Sequence, residues 1–204
     1  MKPPTTAPGR PRDPGLSGRI MAAALEEYAR TGWGSFTMQG VARRAGVGKS
    51  ALYLRWSTRE QLLVDSIESV ALPLAADLDT GCLRSDLTEM AAGLFRYFLD
   101  PIGWSTLRIA VDVAVTVEFA ELEPFQERIV DALASGALVM FTRAAERGEI
   151  KADVPLQPLL ETLFGSILVH ALALPPTERD NARNDVETHV TPLVDVIFRA
   201  ATSR

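Results

Sequence analysis

Apolar residues recur at helical spacing along almost the whole chain. Ile20, Ala24 and Tyr28, with Leu25 beside them, mark a helix over Leu16–Arg30 that Gly32 stops. Trp33 and Phe36 then fall in a turn and plug a small core. Thr37 is placed to cap a second helix through Ala45, its hydroxyl accepting a backbone N–H. A short third helix runs from near Gly48 to near Trp56. Ser57 and Glu60 are spaced as a capping box and open a long helix through Leu62, Leu63, Ile67 and Val70, which Pro73 breaks or kinks. Leu87, Met90, Ala91, Leu94, Phe95 and Phe98 lie on one face of a segment that ends before Pro101. The next segment, from Gly103 to about Leu122, is apolar nearly all round. Its Val111–Val117 stretch alternates like a strand, but helical neighbours and the lack of partner strands favour a buried helix. Pro124–Arg147, Leu156–Leu174 and about Asn181–Ala201 complete the pattern, the last two separated by Pro175-Pro176. Pro192 is expected to bend the final helix. The predicted fold is all-α, with about nine helices.

Thr37 to Trp56 is the most informative stretch. Two short helices meet at Ala45-Gly46-Val47. Ala45 allows close approach, Gly46 suits the left-handed backbone that ends a helix, and Val47 fills the angle between the helices. This is a helix-turn-helix unit, whose second helix enters the major groove of DNA while the first crosses the backbone. Lys49, Ser50, Tyr53 and Arg55 cluster on and just after that second helix.

Charge strengthens the picture. Residues 1–64 hold ten basic and four acidic residues, and the remaining 140 hold eleven and twenty-two. A basic head on an acidic body is the footprint of a DNA-reading domain joined to one that should stay off DNA. Lysine is scarce, three against eighteen arginines, which singles out Lys49. Residues 1–15 carry five of the thirteen prolines and read as a disordered arm. Its Arg10 and Arg12 either reach DNA or belong to a solvated tail. Cys82, the single cysteine, excludes an internal disulfide and reads as a small buried apolar residue rather than a redox sensor. No signal peptide is visible. The most apolar run, Leu159–Leu174, is interrupted by Glu161 and His170 and falls short of the roughly 20 residues of a membrane span, so the expectation is a cytoplasmic protein with no membrane partner.

The first sixty or so residues resemble the TetR-type (tetracycline-repressor-like) transcriptional regulators. The matching residues are Gly32-Trp33, Thr37, Val41-Ala42, Ala45-Gly46-Val47, Gly48-Lys49, Leu52-Tyr53, Trp56, and Ser57 followed by Glu60-Gln61-Leu62-Leu63. Gly40 departs from the pattern where an acidic residue is frequent, Gly48 where serine often caps, and Trp56 replaces a frequent phenylalanine. The resemblance implies a three-helix DNA-binding domain over 16–62, after the arm of 1–15, and a ligand-binding and dimerisation domain over 63–204. It implies that Tyr53 faces a backbone phosphate, unless it is a core tyrosine, and that Lys49 binds phosphate, unless it is a plain surface charge. Thr37, Arg43, Arg44, Gly48, Ser50 and Arg55 are further candidates for DNA contact. Arg43 and Arg44 point about 100° apart and cannot both face DNA equally. Leu54 is limited to apolar contact, for example with a thymine methyl.

For the C-terminal region the resemblance implies a pocket and a dimer interface made by the last two helices. Pocket candidates are Phe95, Phe98, Trp104, Arg108, Asp112, Thr116, Phe119 and Met140. Arg108, Asp112 and Thr116 share one face; they either orient a ligand or form an ordinary i,i+4 ion pair. The aromatics either line the pocket or fill the core. Interface candidates are Gly165, Ser166, Val169, Val190, Leu193, Val194 and Ile197, with both histidines structural or interfacial rather than metal ligands. The expectation is a homodimeric repressor on a palindromic double-stranded operator, released by an unidentified small apolar or aromatic effector, with no cofactor. An activator or a ligand-independent regulator are alternatives within the class. A helical-bundle enzyme lacks any Ser/His/Asp set, metal pattern or phosphate-cradling loop to support it.

Overall fold

The computed structural model describes residues 15–71, 78–115, 123–151 and 153–202. Among these residues are ten α-helices and no strand: α1 Leu16–Thr31, α2 Met38–Ala45, α3 Lys49–Tyr53, α4 Arg59–Ala71, α5 Leu83–Leu99, α6 Pro101–Val115, α7 Glu123–Glu146, α8 Leu156–Ala173, α9 Arg179–Asn184 and α10 Val186–Thr202. The N-terminal arm with Arg10 and Arg12, Pro73, and the pocket candidates Thr116 and Phe119 lie outside the described residues. The helix count exceeds the predicted nine because the last segment breaks at Asp185. Its backbone leaves the helical region (φ −130, ψ 50), and its carboxylate accepts from the Thr188 hydroxyl at 2.8 Å as α10 begins.

Two hydrophobic cores organise the chain. The head core joins Ile20, Leu25 and Tyr28 of α1, Phe36, Val41, Leu52 and Trp56, and reaches Leu62, Leu63 and Ile67 of α4. Ile109 of α6 belongs to this core too, so α6 is the element on which the head rests. The body core packs α5, α7, α8 and α10 through Leu87, Phe95, Phe98, Met140, Phe141, Leu163, Ile167, Val190, Val194 and Ile197. The Arg84–Asp195 ion pair ties α5 to α10.

Three sequence expectations shift by small distances. The cap of α4 is Thr58, whose hydroxyl accepts from the Gln61 backbone N–H at 3.1 Å, while the Gln61 side chain reaches back to the Ser57 N–H at 3.2 Å. Glu60 pairs instead with Arg59. Cys82 is only partly buried and caps α5, its sulfur accepting from the Ser85 N–H at 3.4 Å. The groove helix ends at Tyr53, three residues early.

α8 spans Leu156–Ala173, within one residue of the expected bounds. It is 18 residues long with a mean hydropathy of 1.3, long and apolar enough by length and composition to cross a membrane, yet only 22% of it is buried. One face, with Leu159, Leu163, Ile167 and Ala171, enters the body core, while Val169 and Leu172 stay more than 60% exposed.

His170 of α8 and His189 of α10 face each other, Nε2 to Nδ1 at 3.0 Å, and both rings lie against Phe95. One ring must donate and the other accept, so double protonation opposes the contact. Burial, and then the charge of His189, hold His170 below its ordinary pKa. The unfolded chain therefore takes up the proton more readily, and stability falls as pH drops from 7 through the ordinary histidine value near ~6.5. His170 is one of only two histidines in the chain, so its lowered pKa is placed to show in the pH 7 to 5 window. Thermal unfolding across that window is expected to show a falling midpoint, flattened in His170→Gln.

Candidate nucleic-acid interface

The turn between α2 and α3 sets the site. Gly46 adopts a left-handed φ of 67°, and its N–H and that of Val47 return to the carbonyls of Arg43 (3.3 Å) and Ala42 (3.0 Å). This is a Schellman-type close, which redirects the chain within two residues. Leu52, fully buried, anchors α3 on the head core. The opposite side of α3 is left outward: Gly48, Lys49 and Ser50 are exposed, Tyr53 is 54% exposed and Leu54 83%. Among the described residues, nothing covers this isolated leucine at the end of α3.

α2 supplies the other wall. Thr37 caps it, its hydroxyl accepting from the Gly40 N–H at 3.1 Å, and Gln39 and Arg43 point outward. Two polar clefts of about 460 Å³ flank this helix N-terminus. One is lined by Thr37, Gln39, Lys49, Tyr53, Ser57, Thr58 and Arg59, the other by Glu27, Arg30, Ser35, Thr37, Gln39 and Arg43. The first cleft gathers a lysine, a phenol and the start of α4, all suited to an anion, with the Glu60 carboxylate, paired to Arg59, on the same lining. Gln39 and Thr58 were not singled out from the sequence. Thr58 follows Ser57 by one residue and Gln39 follows Thr37 by two, and only the folded geometry turns them to the face.

Arg44 and Arg55 are held within the chain. Arg44 donates to Glu27 at 2.9 Å and to Glu26 at 3.3 Å. Arg55 donates to the Ser17 hydroxyl and the Ala51 carbonyl, both at 3.0 Å. Glu27 is 3% exposed and also accepts from Arg30 at 2.8 Å. Hydrogen bonding to Arg30, and with it Arg44, keeps the Glu27 carboxyl below its ordinary pKa against the desolvation that burial imposes. Gly40 explains itself here: a Cβ would lie 2.6 Å from Glu27 Oε1. The acidic residue missing from α2 is replaced in space by one from α1. Arg44→Ala is expected to destabilise the head by about 1–2 kcal/mol. That is less than the usual ~3–5 for orphaning a buried charge, because Arg30 remains. Denaturant unfolding measures this, and an unchanged salt dependence of DNA binding would separate Arg44 from the phosphate contacts.

The polar stripe of α6 turns towards the head rather than into a pocket. Tyr28 donates to Asp112 at 2.7 Å, and Arg108 donates to the Ala29 carbonyl at 2.8 Å. Arg108 and Asp112 also form the i,i+4 pair at 3.9 Å. Burial first, and then donation to Asp112, push the Tyr28 phenol above its ordinary pKa. Phe95, Phe98 and Met140 are core residues, and Trp104 is half-buried at the edge of the same cluster. Of the interface candidates, Val190, Val194 and Ile197 are at most 2% exposed and pack inside the protomer, because α10 turns that stripe onto α5 and α8. Gly165, Ser166 and Leu193 are half-buried and line, with Val169, His170 and Ala173, an apolar groove on the outer side.

This arrangement agrees with what the chain is similar to. The family model for bacterial regulatory proteins of the tetR family matches residues 20–65, and that for the tetracyclin repressor-like C-terminal domain matches residues 77–189. The chain belongs to the tetR family. It is a helix-turn-helix transcriptional regulator. A regulator of Bacillus subtilis, YdeS, is 25% identical over 164 residues, covering 80% of this chain and 82% of its own. The DNA-binding transcriptional repressor TetR of Mycobacteroides abscessus is 29% identical over 161 residues, covering 78% and 82%. Among solved structures, a TetR family regulator from Marinobacter aquaeolei superposes with a TM-score of 0.69 at 22% identity, covering 95% of this chain and 98% of that one. FadR of Bacillus subtilis, solved in complex with stearoyl-CoA, superposes with a TM-score of 0.59 at 18% identity, covering 91% and 97%.

Proposed function

We propose that this tetR-family regulator is a cytoplasmic homodimeric repressor that binds a palindromic operator and leaves it when a small apolar effector binds the body. The observation that carries the DNA-binding half is the outward face of α3, with Lys49, Ser50, Tyr53 and Leu54 exposed on a basic head. Lys49 and Tyr53 hold phosphates, joined by Thr37, Gly48, Thr58 and the start of α4. Ser50, Leu54 and Gln39 are left to meet base edges, and Arg43 a flanking phosphate.

The dimer rests on the outer faces of α8 and α10. Val169, Leu172 and Val196 are 63%, 61% and 56% exposed, an apolar stripe too large to leave against water and continuous with the groove beside Gly165 and Ser166. A second copy related by a two-fold axis covers it with the same stripe. Effector release runs through α6, which carries Ile109 into the head core and Asp112 onto Tyr28. A shift of α6 moves the head, and a change in head separation breaks simultaneous contact with two half-sites. The repressor name of the Mycobacteroides relative and the stearoyl-CoA bound by FadR support this reading of sign and of effector class.

The test is Val169→Asp with Leu172→Asp. Sedimentation is expected to show twice the 22.2 kDa chain mass for the parent and a single chain for the variant, with helical content unchanged. A variant that stays dimeric places the interface elsewhere.

A further inference from the structure

We propose that the corner where α6, α9 and the C-terminal end of α5 meet binds the acidic group of the effector, a carboxylate or similar anion on an apolar or aromatic body. The proposal rests on the reading of the chain as a ligand-responsive regulator and names the ligand's chemistry.

Among the described residues, three side-chain polar atoms are sealed from solvent without a hydrogen-bond partner: Asp86 Oδ2, Trp104 Nε1 and Arg179 Nε. The first has a charge partner, Arg147, at 3.6 Å. The other two are both donors, and they are neighbours, the Arg179 guanidinium lying 5.2 Å from the Trp104 ring centroid. No carboxylate among the described residues pairs with Arg179. One turn later on α9, Arg183 is fully engaged: it pairs with Asp180 at 3.1 Å and donates to the Leu99 carbonyl at the end of α5. Arg183 therefore fixes α9 in place and leaves Arg179 over the tryptophan.

The chemistry of these donors narrows what they receive. An indole N–H and a guanidinium N–H only donate, so the missing partner is an acceptor. A guanidinium is a cation, and a neutral acceptor satisfies its hydrogen bonds without answering that charge. An anionic oxygen answers both. The adjoining wall is aromatic: Phe98 lies 6.2 Å from the Trp104 ring, and Phe164 stands edge-on to Phe98 at 5.5 Å. Phe98 is core and backs this wall, and the partly exposed rings of Trp104 and Phe164 are the faces that an apolar body of the same molecule meets. Trp104 and Arg179 are each only partly buried as residues, and the guanidinium rests over the ring.

The experiment is calorimetric titration of the full chain with two matched pairs, decanoate against decanol and indole-3-acetate against indole-3-ethanol. At least one acid is expected to bind tenfold or more tightly than its alcohol. Arg179→Gln is expected to abolish that preference, and Trp104→Phe to weaken the acid several-fold while circular dichroism shows the fold retained. Equal binding of acid and alcohol, no binding by either pair, or a preference that survives Arg179→Gln overturns the proposal. Release of DNA is measured in parallel. An acid that binds through Arg179 without displacing DNA sustains this site and removes the effector reading. A DNA-releasing compound whose binding ignores both substitutions does the reverse.

Discussion

Replacing both Lys49 and Tyr53 with alanine is expected to lower operator affinity at least a hundredfold and leave the protein folded. Tyr53 is more than half exposed and Lys49 is exposed, so neither contributes much to the head core. Surface changes of this kind usually move stability by less than ~0.5 kcal/mol. The cost falls on binding. A hydrogen bond to a charged group contributes about 1.5–3 kcal/mol, and each residue acts once per half-site, so a symmetric complex loses it twice. At ~1.4 kcal/mol per factor of ten, even the lower figure for one residue in two half-sites reaches a hundredfold. The two residues separate by salt. Lys49→Ala removes a cation from each half-site, so the slope of log affinity on log salt should flatten by about 2. Tyr53→Ala removes an uncharged donor and should lower affinity with the slope nearly unchanged. Fluorescence anisotropy with a fixed duplex at several salt concentrations checks both. A normal affinity in the double variant would take α3 out of the groove.

The second large effect is structural. Gly103→Ala is expected to cost about 2 kcal/mol or more, lowering the thermal midpoint by about 4–8 °C at the scale typical of chains this size. In an exposed helix, alanine for glycine gains up to ~1 kcal/mol. Here a Cβ at residue 103 would sit 2.0 Å from the Tyr97 carbonyl oxygen, 2.7 Å from its carbon and 3.3 Å from Phe98 Cα. The obstacle is backbone, so no rotamer change relieves it. α5 and α6 are joined only through Asp100, whose carboxylate accepts from the Ile102 N–H at 2.8 Å, with Pro101 opening the new helix. The helices must part, and with them move Trp104 beside the aromatic cluster and Ile109 in the head core. Differential scanning of the single variant is the check. An unchanged midpoint would mean that the two helices do not meet so closely.

The head was legible because its residue types are demanded locally. Gly46 is needed for a left-handed φ, Thr37 for a cap, and Leu52 and Trp56 for a core that a short domain must fill. What the sequence left undecided was orientation. α8 is apolar nearly all round, so no periodicity separates the face that meets α5 from the face that carries Val169 and Leu172. The α10 stripe of Val190, Val194 and Ile197 has the spacing of an interface and of a core alike, and packing assigned it to the core. Arg108 and Asp112 resemble a polar stripe inside a bundle until Tyr28, eighty-four residues from Asp112, arrives to accept the role of partner. Glu27 gives no sign of burial in a sequence, because its two arginines, Arg30 and Arg44, come from different helices. The break at Asp185 turns on one residue's backbone and a side-chain bond three residues on.

If two heads of this chain read one DNA sequence together, bound duplexes selected from a random pool by protein stripped of small molecules should converge on a palindrome, its half-sites about one helical turn or a multiple apart, that the Lys49→Ala/Tyr53→Ala variant fails to recover. A pool that stays random at low salt, where counterion release makes binding tightest, would contradict that paired reading.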